Sequence, residues 1–291
     1  MPPDRSGRKG RNMAAASAPA GGTLVKRHRL STRLWHWVNA VTLLVMLMSG
    51  LMIFNAHPRL YWGDYGANSD HAWLKVGSAR GAAGERGYLE VAGHRWNTTG
   101  VLGLWSDPQG KVQRRAVPYW ATIPSRYSLA IGRIWHLAFA WVLALGLLAY
   151  LLRSLVDGHL RRDIHITRAE WRPAHLWRDV RDHARLRFPT GAAALRYSVL
   201  QKLAYAAVLF GLLPAMILTG LAMSPGTDAW APLIGEVFGG RQSARSVHFL
   251  CAGGLVGFVV IHLAMVVLAG PFNELRSIVT GWYRLPRERG A

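Results

Sequence analysis

RSVHFLCAGGLVGFVVIHLAMVVLA, from Arg245 to Ala269, is an apolar run that carries no charge after Arg245 and contains two histidines, His248 and His262. It is long enough to cross a bilayer, which takes about 20 residues. The histidines stand 14 residues apart. At about 100° and 1.5 Å per residue, that spacing returns to within about 40° of the starting direction after a rise of about 21 Å. Both imidazoles therefore face one side of a helix, one near each membrane surface. An ionisable side chain in lipid is costly unless something pairs or coordinates it, so the spacing predicts two metal centres stacked across the membrane. Between the histidines lie Cys251, Ala252, Gly253, Gly254 and Gly257, small residues that admit either a neighbouring helix or a flat macrocycle.

Outward from this segment, the 291 residues are 51% hydrophobic yet carry a net charge of +20, so apolar spans must alternate with strongly basic segments. That is the profile of a membrane protein with positive inner loops. Arginines placed beside apolar spans follow from topology, which sets nucleic acid aside as a partner. The single cysteine, Cys251, lies inside the run quoted above. A disulfide framework, a Cys-rich zinc or iron–sulfur site and covalent haem attachment are thereby excluded.

The hydropathy pattern predicts spans at about 34–54, 131–152, 203–223 and 246–269. Lys26, Arg27, Arg29 and Arg33 before the first span place its start in the cytoplasm, and the rest of the topology follows. Residues 1–25 read as a disordered cytoplasmic tail, since Met13 to Ala20 is too short and mild for a signal-peptide core. The loop 55–129 is then outside and the arginine-rich loop 153–196 inside, with both termini cytoplasmic. The expected fold is all-α, an integral membrane four-helix bundle with a small extracytoplasmic loop domain. In the outer loop, the aromatics predict a folded cap with a hairpin around Asp107, Pro108, Gln109 and Gly110. In the inner loop, Leu176, Val180, Ala184 and Phe188 recur every four residues, as in an amphipathic helix lying on anionic headgroups. Pro214 in the third span predicts a kink.

Of the 12 histidines, His36, His136, His248 and His262 fall in spans. The topology makes His36 and His262 inner, and His136 and His248 outer, so two pairs form at matched depth. Two neutral imidazoles on opposite faces of a tetrapyrrole fill an octahedral iron and leave it an electron carrier. A zinc or non-haem iron site would want three or four ligands at one depth, carboxylates among them, and the spans contain no Asp or Glu. The same absence argues against a carboxylate proton relay or cation transport.

The segments RHRLSTRLWHWVNAVTLLVMLMSGL, LQKLAYAAVLFGLLPAMILTGLAMSP and SVHFLCAGGLVGFVVIHLAMVV, with GRIWHLAFAW as a weaker match, resemble the di-haem cytochrome b subunits of formate dehydrogenases, nickel–iron hydrogenases and thiosulfate-reductase-like enzymes. The resemblance implies a bacterial inner-membrane protein in which His36, His136, His248 and His262 ligate two non-covalent b haems. It also implies a quinone near the inner haem, close to Gln201 and Lys202, with His262 at its edge. The long outer loop departs from the formate dehydrogenase pattern and resembles cytochromes beside periplasmic molybdopterin oxidoreductases, which makes that class the favoured partner. Haem propionates seek arginine, so Arg33, Arg29 and Arg196 inside and Arg133, Arg241 and Arg245 outside are the candidates; snorkelling to the interface is the competing account of each. Two other functions fit the residues less well. One is a membrane cytochrome reductase working alone, with a substrate pocket under the aromatic cap. The other is a haem-free anchor for a soluble enzyme.

Overall fold

The computed structural model describes residues 22–82, 84–185 and 197–285. Among them, four helices are long and apolar enough to cross a membrane: Leu30–Phe54, Leu129–Val156, Val199–Ala222 and Arg241–Ala269. Only 6 to 28% of the most apolar window of each is buried within the protein. Outward-facing leucine, valine and tryptophan on this scale need lipid around them. Each span runs further than its apolar core predicts, because the helix continues for a turn or more into polar residues beyond the hydrocarbon.

In chain order, β1 (Thr23–Lys26) leads into α1 (Leu30–Phe54). Thr23, Leu24 and Val25, read from sequence as tail, are thus the first residues of a strand. A meander follows, β2 (Arg59–Leu60), β3 (Leu74–Gly81), β4 (Gly84–Val91) and β5 (His94–Asn97), antiparallel and in that spatial order. β4 turns into β5 through Ala92 and Gly93, at φ 48° and 82°, the positive values that match a two-residue loop to the twist of its strands. β6 (Trp105–Ser106) and β7 (Val112–Gln113) form the hairpin expected around Asp107. There the Asp107 carboxylate accepts the backbone N–H groups of Gln109 at 3.1 Å and Lys111 at 2.8 Å. The loop domain is therefore built of strands, and the all-α expectation is corrected to a helical bundle carrying a small β domain. The alternation of Leu74 and Val76, both buried, with Lys75 between them is the period-two signal that produces it.

α2 (Leu129–Val156) starts on Ser128, whose Oγ accepts from Ile131 N. A π-helical turn (Leu160–Ile164) and α3 (Pro173–Ala184) follow. Of the expected four-residue repeat, Leu176 is half-buried, Val180 and Ala184 face outward, and Phe188 lies outside the described residues. The third span is composite: α4 (Val199–Ala206), a π-helical stretch (Ala207–Leu212) and α5 (Leu213–Ala222). Pro214 has no N–H to give the carbonyl four residues earlier, and the turns before it, where the kink is expected, adopt the wider π pattern. Short helices α6 (Pro225–Trp230) and α7 (Leu233–Val237) lead to α8 (Arg241–Ala269). Gly270, at φ 112°, ends α8 in the left-handed region and Pro271 opens α9 (Pro271–Thr280). β8 (Trp282–Leu285) then pairs antiparallel with β1.

α1 packs along α2 and α5 along α8. The two hairpins meet in a core that includes Met46, Leu143, Leu147, Leu213 and Leu255. The β domain sits on one end of this bundle. Its cluster of Leu60, Leu74, Val76 and Val117 packs with Phe54 of α1 and Phe249 of α8. Polar clamps reinforce the junction. The Ser246 hydroxyl on α8 accepts the Trp73 indole N–H at 2.9 Å and donates to the Tyr61 carbonyl. The Ser243 hydroxyl accepts Gly63 N–H at 2.7 Å. The opposite end of the bundle is rich in arginine.

Candidate functional site

The four span histidines meet as two couples. At the sheet-bearing end, His136 of α2 faces His248 of α8, with ring centres 6.2 Å apart and planes at 63°. At the arginine-rich end, His36 of α1 faces His262 of α8 at 6.3 Å and 57°. An imidazole nitrogen lies about 2 Å from a first-row metal and about 1.1 Å from the centre of its own ring, so two imidazoles sharing one ion have centres about 6.2 Å apart. Both couples have that separation. Leu255, midway between His248 and His262 on α8, is buried in the core and keeps the couples apart.

The couple at the sheet-bearing end is held by a device used twice. Ser49 Oγ donates to the Val45 carbonyl at 2.7 Å and stands 3.1 Å from His136 Nδ1, which also lies 3.1 Å from the Met46 carbonyl. Thr219 Oγ1 donates to the Ala215 carbonyl at 2.6 Å and stands 2.9 Å from His248 Nδ1, in a ring that also lies near the Met216 backbone. With each hydroxyl proton committed to the backbone, the hydroxyl oxygen and the nearby carbonyl can only accept. Each Nδ1 therefore carries the ring proton, and each Nε2 keeps the lone pair a metal needs. The next residue is glycine in both cases. A Cβ at Gly50 would stand 3.3 Å from His136 Cε1, and one at Gly220 3.8 Å from His248 Cε1. The signal was present in the sequence as a repeat, MLMSGL at 46–51 and MILTGL at 216–221. A search confined to ionisable residues passes over it.

The second couple is positioned differently. Phe258 stacks on His262 at 5.8 Å and 11°, and Trp37 stands edge-on to His36 at 5.1 Å. His36 Nδ1 is buried and finds no hydrogen-bond partner among the described residues. Below this couple the arginine-rich end gathers groups able to carry protons. His28, beside Arg27, His36, His159 and Arg33, is pushed down to about 4 by burial and then by the positive charge of Arg27. His159 Nδ1 lies 2.6 Å from Asp163, with the Tyr150 ring 6.5 Å from the imidazole. Arg27 pairs with Glu274 at 2.9 Å. Burial raises the Tyr197 hydroxyl above its ordinary value, and its ring packs edge-on against Tyr205 at 5.3 Å. These groups come from five separate segments, which is why no local motif marks them.

The remaining candidates are dispersed. Gln201 forms a capping box with Ser198, its carbonyl oxygen accepting Ser198 N–H at 3.0 Å. Lys202 donates to Glu170 at 2.7 Å and to the His165 carbonyl at 3.2 Å. Burial opposes the charge of Glu170, but Lys202 and the two Thr167 donors hold its carboxyl down to about 2. Arg33 donates to the Val279 carbonyl, while its Nε is buried without a partner among the described residues. Arg245 donates to the His57 carbonyl, and Arg133 is exposed. Arg241 stands with Asp64, Asp228 and Glu236 around a pocket at the sheet-bearing end, and Arg29 pairs with Asp157 at 3.3 Å. Arg196 lies outside the described residues. Of the glycines between the histidines of α8, a Cβ at Gly254 would meet the Leu212 side chain at 3.4 Å, whereas one at Gly253 or Gly257 would point into open space. Among the described residues, no cluster of three or more His, Cys, Asp or Glu could hold a metal ion. A donor set of two opposed imidazoles suits a metal whose other ligands come from a macrocycle.

The family model for prokaryotic cytochrome b561 matches residues 27–281. A curated relative from Azospira oryzae, provisionally assigned as the protein-methionine-sulfoxide reductase subunit YedZ1, is 32% identical over 136 residues, which is 46% of this chain and 64% of the relative. The chain thus spans somewhat less than two thirds of that relative's length. No solved structure matches it. The chain belongs to the prokaryotic cytochrome b561 family, multi-pass membrane proteins that bind haem b and carry electrons.

Proposed function

We propose that the chain binds two b haems, one between His136 and His248 and one between His36 and His262, and that it carries electrons between a membrane quinone and a redox partner. The observation behind this reading is the pair of ring separations, 6.2 and 6.3 Å, in two couples that share no residue. Haem iron held by two imidazoles has no open position and exchanges single electrons. What the chain supplies is orientation and exclusion of water. Ser49 and Thr219 fix the ring protons on Nδ1, Phe258 and Trp37 fix the planes of His262 and His36, and the core around Leu255 keeps solvent from the path between the couples. Arg33, Arg133 and Arg245 stand within a few residues of the ligands and are the proposed propionate partners, Arg33 foremost because its Nε has no partner among the described residues.

The arginine-rich end is cytoplasmic in this reading and the β domain periplasmic, by the distribution of basic residues. The quinone belongs at the cytoplasmic end, where the His159–Asp163 pair, Tyr150 and His28 can pass protons. Gln201 and Lys202 stand at the same end, with their side chains holding the start of α4 in place. The β domain is the proposed landing surface for a periplasmic oxidoreductase of the molybdopterin class. The name of the Azospira relative, a reductase subunit, favours such an assembly.

A reduced-minus-oxidised spectrum of the purified chain, with haem quantitation, should give two low-spin b haems per polypeptide. One haem, or none, would overturn the two-couple assignment. A finer test is Thr219→Val, which keeps the volume and removes the acceptor of the His248 ring proton. Loss of such a supporting contact lowers affinity by about 10- to 100-fold. With the Met216 backbone still near the ring, the lower end is expected, read as faster haem loss on dilution. Thr219→Ser should restore retention.

A further inference from the structure

Two helices at the arginine-rich end turn their apolar side away from the protein. α9 begins directly after the left-handed Gly270 that ends the fourth span. Its inward side is held by the protein: Glu274 pairs with Arg27, Asn273 exchanges two hydrogen bonds with the backbone of Arg284, and Ser277 is fully buried, its Oγ without a partner among the described residues. Its outward side presents Phe272, 86% exposed, with Leu275 and Val279 at the spacing of one helical face. α3 repeats the arrangement. Asp179 accepts Leu200 N–H at 2.9 Å and so ties α3 to the start of the third span. On the outward side stand Trp177, 69% exposed, and Val180, with Trp171 exposed just before the helix. Arg172, Arg178, Arg181 and Arg185 are exposed around this stripe, and among the described residues no carboxylate pairs with any of them.

We propose that α3 and α9 form a binding surface for the anionic phospholipid of the leaflet at the arginine-rich end. The apolar stripes enter the boundary between headgroup and acyl chain, and the α3 arginines take the lipid phosphates. Two features select this occupant. Both helices are tied to the points where spans leave the hydrocarbon, so their stripes lie at interfacial depth. Unpaired arginines flanking exposed tryptophan match a negatively charged interface, in which the aliphatic stems lie along the apolar surface and the guanidinium groups reach phosphate. A protein partner of ordinary composition would be expected to meet those arginines with carboxylates, and a neutral bilayer would give them no counter-charge. The surface is independent of haem and of the direction of electron flow, so it stands or falls separately from the electron-transfer reading.

The test uses the full-length chain in nanodiscs of phosphatidylcholine, alone or mixed with phosphatidylglycerol, with bromine on the acyl chains of one lipid at a time. Trp177 is read as the difference between the native chain and Trp177→Phe. Brominated phosphatidylglycerol should quench it several-fold more than brominated phosphatidylcholine at the same fraction. Each of Arg178→Gln and Arg181→Gln should lower the preference about fivefold, the effect of one basic residue at an anionic surface. In a Trp177→Phe background, Phe272→Trp should report the same contact from α9. Equal quenching by the two lipids would overturn the proposal, as would no quenching, or a Trp177 signal set by protein concentration rather than by lipid.

Discussion

His248→Ala is expected to abolish one haem and spare the other, taking the purified chain from two haems per polypeptide to one. The two couples draw on different residues, His136 with His248 and His36 with His262, and the backbone of α8 is their only common element. Alanine is a good helix former, so α8 should keep its path and His262 its place. In the proposed reading the variant loses one of the two imidazoles that would hold the group, while the other, His136, remains held by Ser49 and the Met46 carbonyl. A single imidazole would hold a tetrapyrrole poorly, and any haem that stays should lose the low-spin signature that two imidazoles give. His262→Ala is the mirror experiment and should remove the complementary component of the spectrum. If both components vanish from either variant while the chain keeps its helical content and its resistance to trypsin, the couples are wrongly assigned. Removal of both ligands on α8 together should leave a folded chain without haem.

Much of this site was legible because depth in a membrane is a one-dimensional coordinate that sequence records well. Basic flanks orient each span, the position of a histidine within its span sets its height, and four histidines at two heights admit one pairing. The structure brings the same four rings together in that pairing. What sequence did not reveal needed a second dimension. Ser49 and Thr219 act across helix pairs, α1 to α2 and α5 to α8, and only the rotation of each helix decides which neighbour a hydroxyl meets. The same holds for α3, where the four-residue repeat correctly marked an amphipathic helix but its outward face centres on Trp177 and its inward face includes Leu176. Gln201 and Lys202 were reached through the family resemblance alone, and what their side chains do in the fold needed the third dimension as well. Gln201 bonds Ser198 and Lys202 bonds Glu170, a residue 32 positions away that no local pattern connects to it. The strands of the loop domain were missed because β3 and β4 are interrupted by Gly77 and Gly87 and the others have four residues or fewer, so period-two alternation is visible only in fragments such as Leu74 to Val76.

Asn55→Ala is expected to uncouple the two halves of the molecule. Asn55 is the residue after α1, it is 2% exposed, and its amide makes a two-way bond with one backbone unit of the β domain: Nδ2 donates to the Val117 carbonyl at 3.0 Å and Oδ1 accepts Val117 N–H at 2.8 Å. Alanine leaves both groups of Val117 buried without a partner, at about 1–3 kcal/mol each, or roughly 2–6 kcal/mol for the junction. The neighbouring contacts, Phe54 against Leu60 and Trp73 on Ser246, cannot replace them, because they satisfy other groups. The cost falls on the docking of the domain and not on the bundle, since Val117 belongs to the cluster under the β domain, and neither the bonds that hold His136 and His248 nor the core around Leu255 draw on Asn55 or Val117. Trypsin should therefore cut at arginines of the loop, such as Arg114 and Arg115, at least tenfold faster than in the native chain, while haem content and the reduced spectrum stay unchanged. Asn55→Asp separates hydrogen bonding from volume. It keeps the acceptor for Val117 N–H but offers the carbonyl no donor unless the carboxyl is protonated, so its cleavage rate should fall between the two. If the β domain is where the redox partner lands, reduction of that partner by the Asn55→Ala chain should drop in step with the rise in cleavage, although the haems are still reduced by dithionite at the native rate. Equal cleavage of native and variant loops would mean that the apolar cluster alone fixes the domain, and the role assigned to Asn55 would be withdrawn.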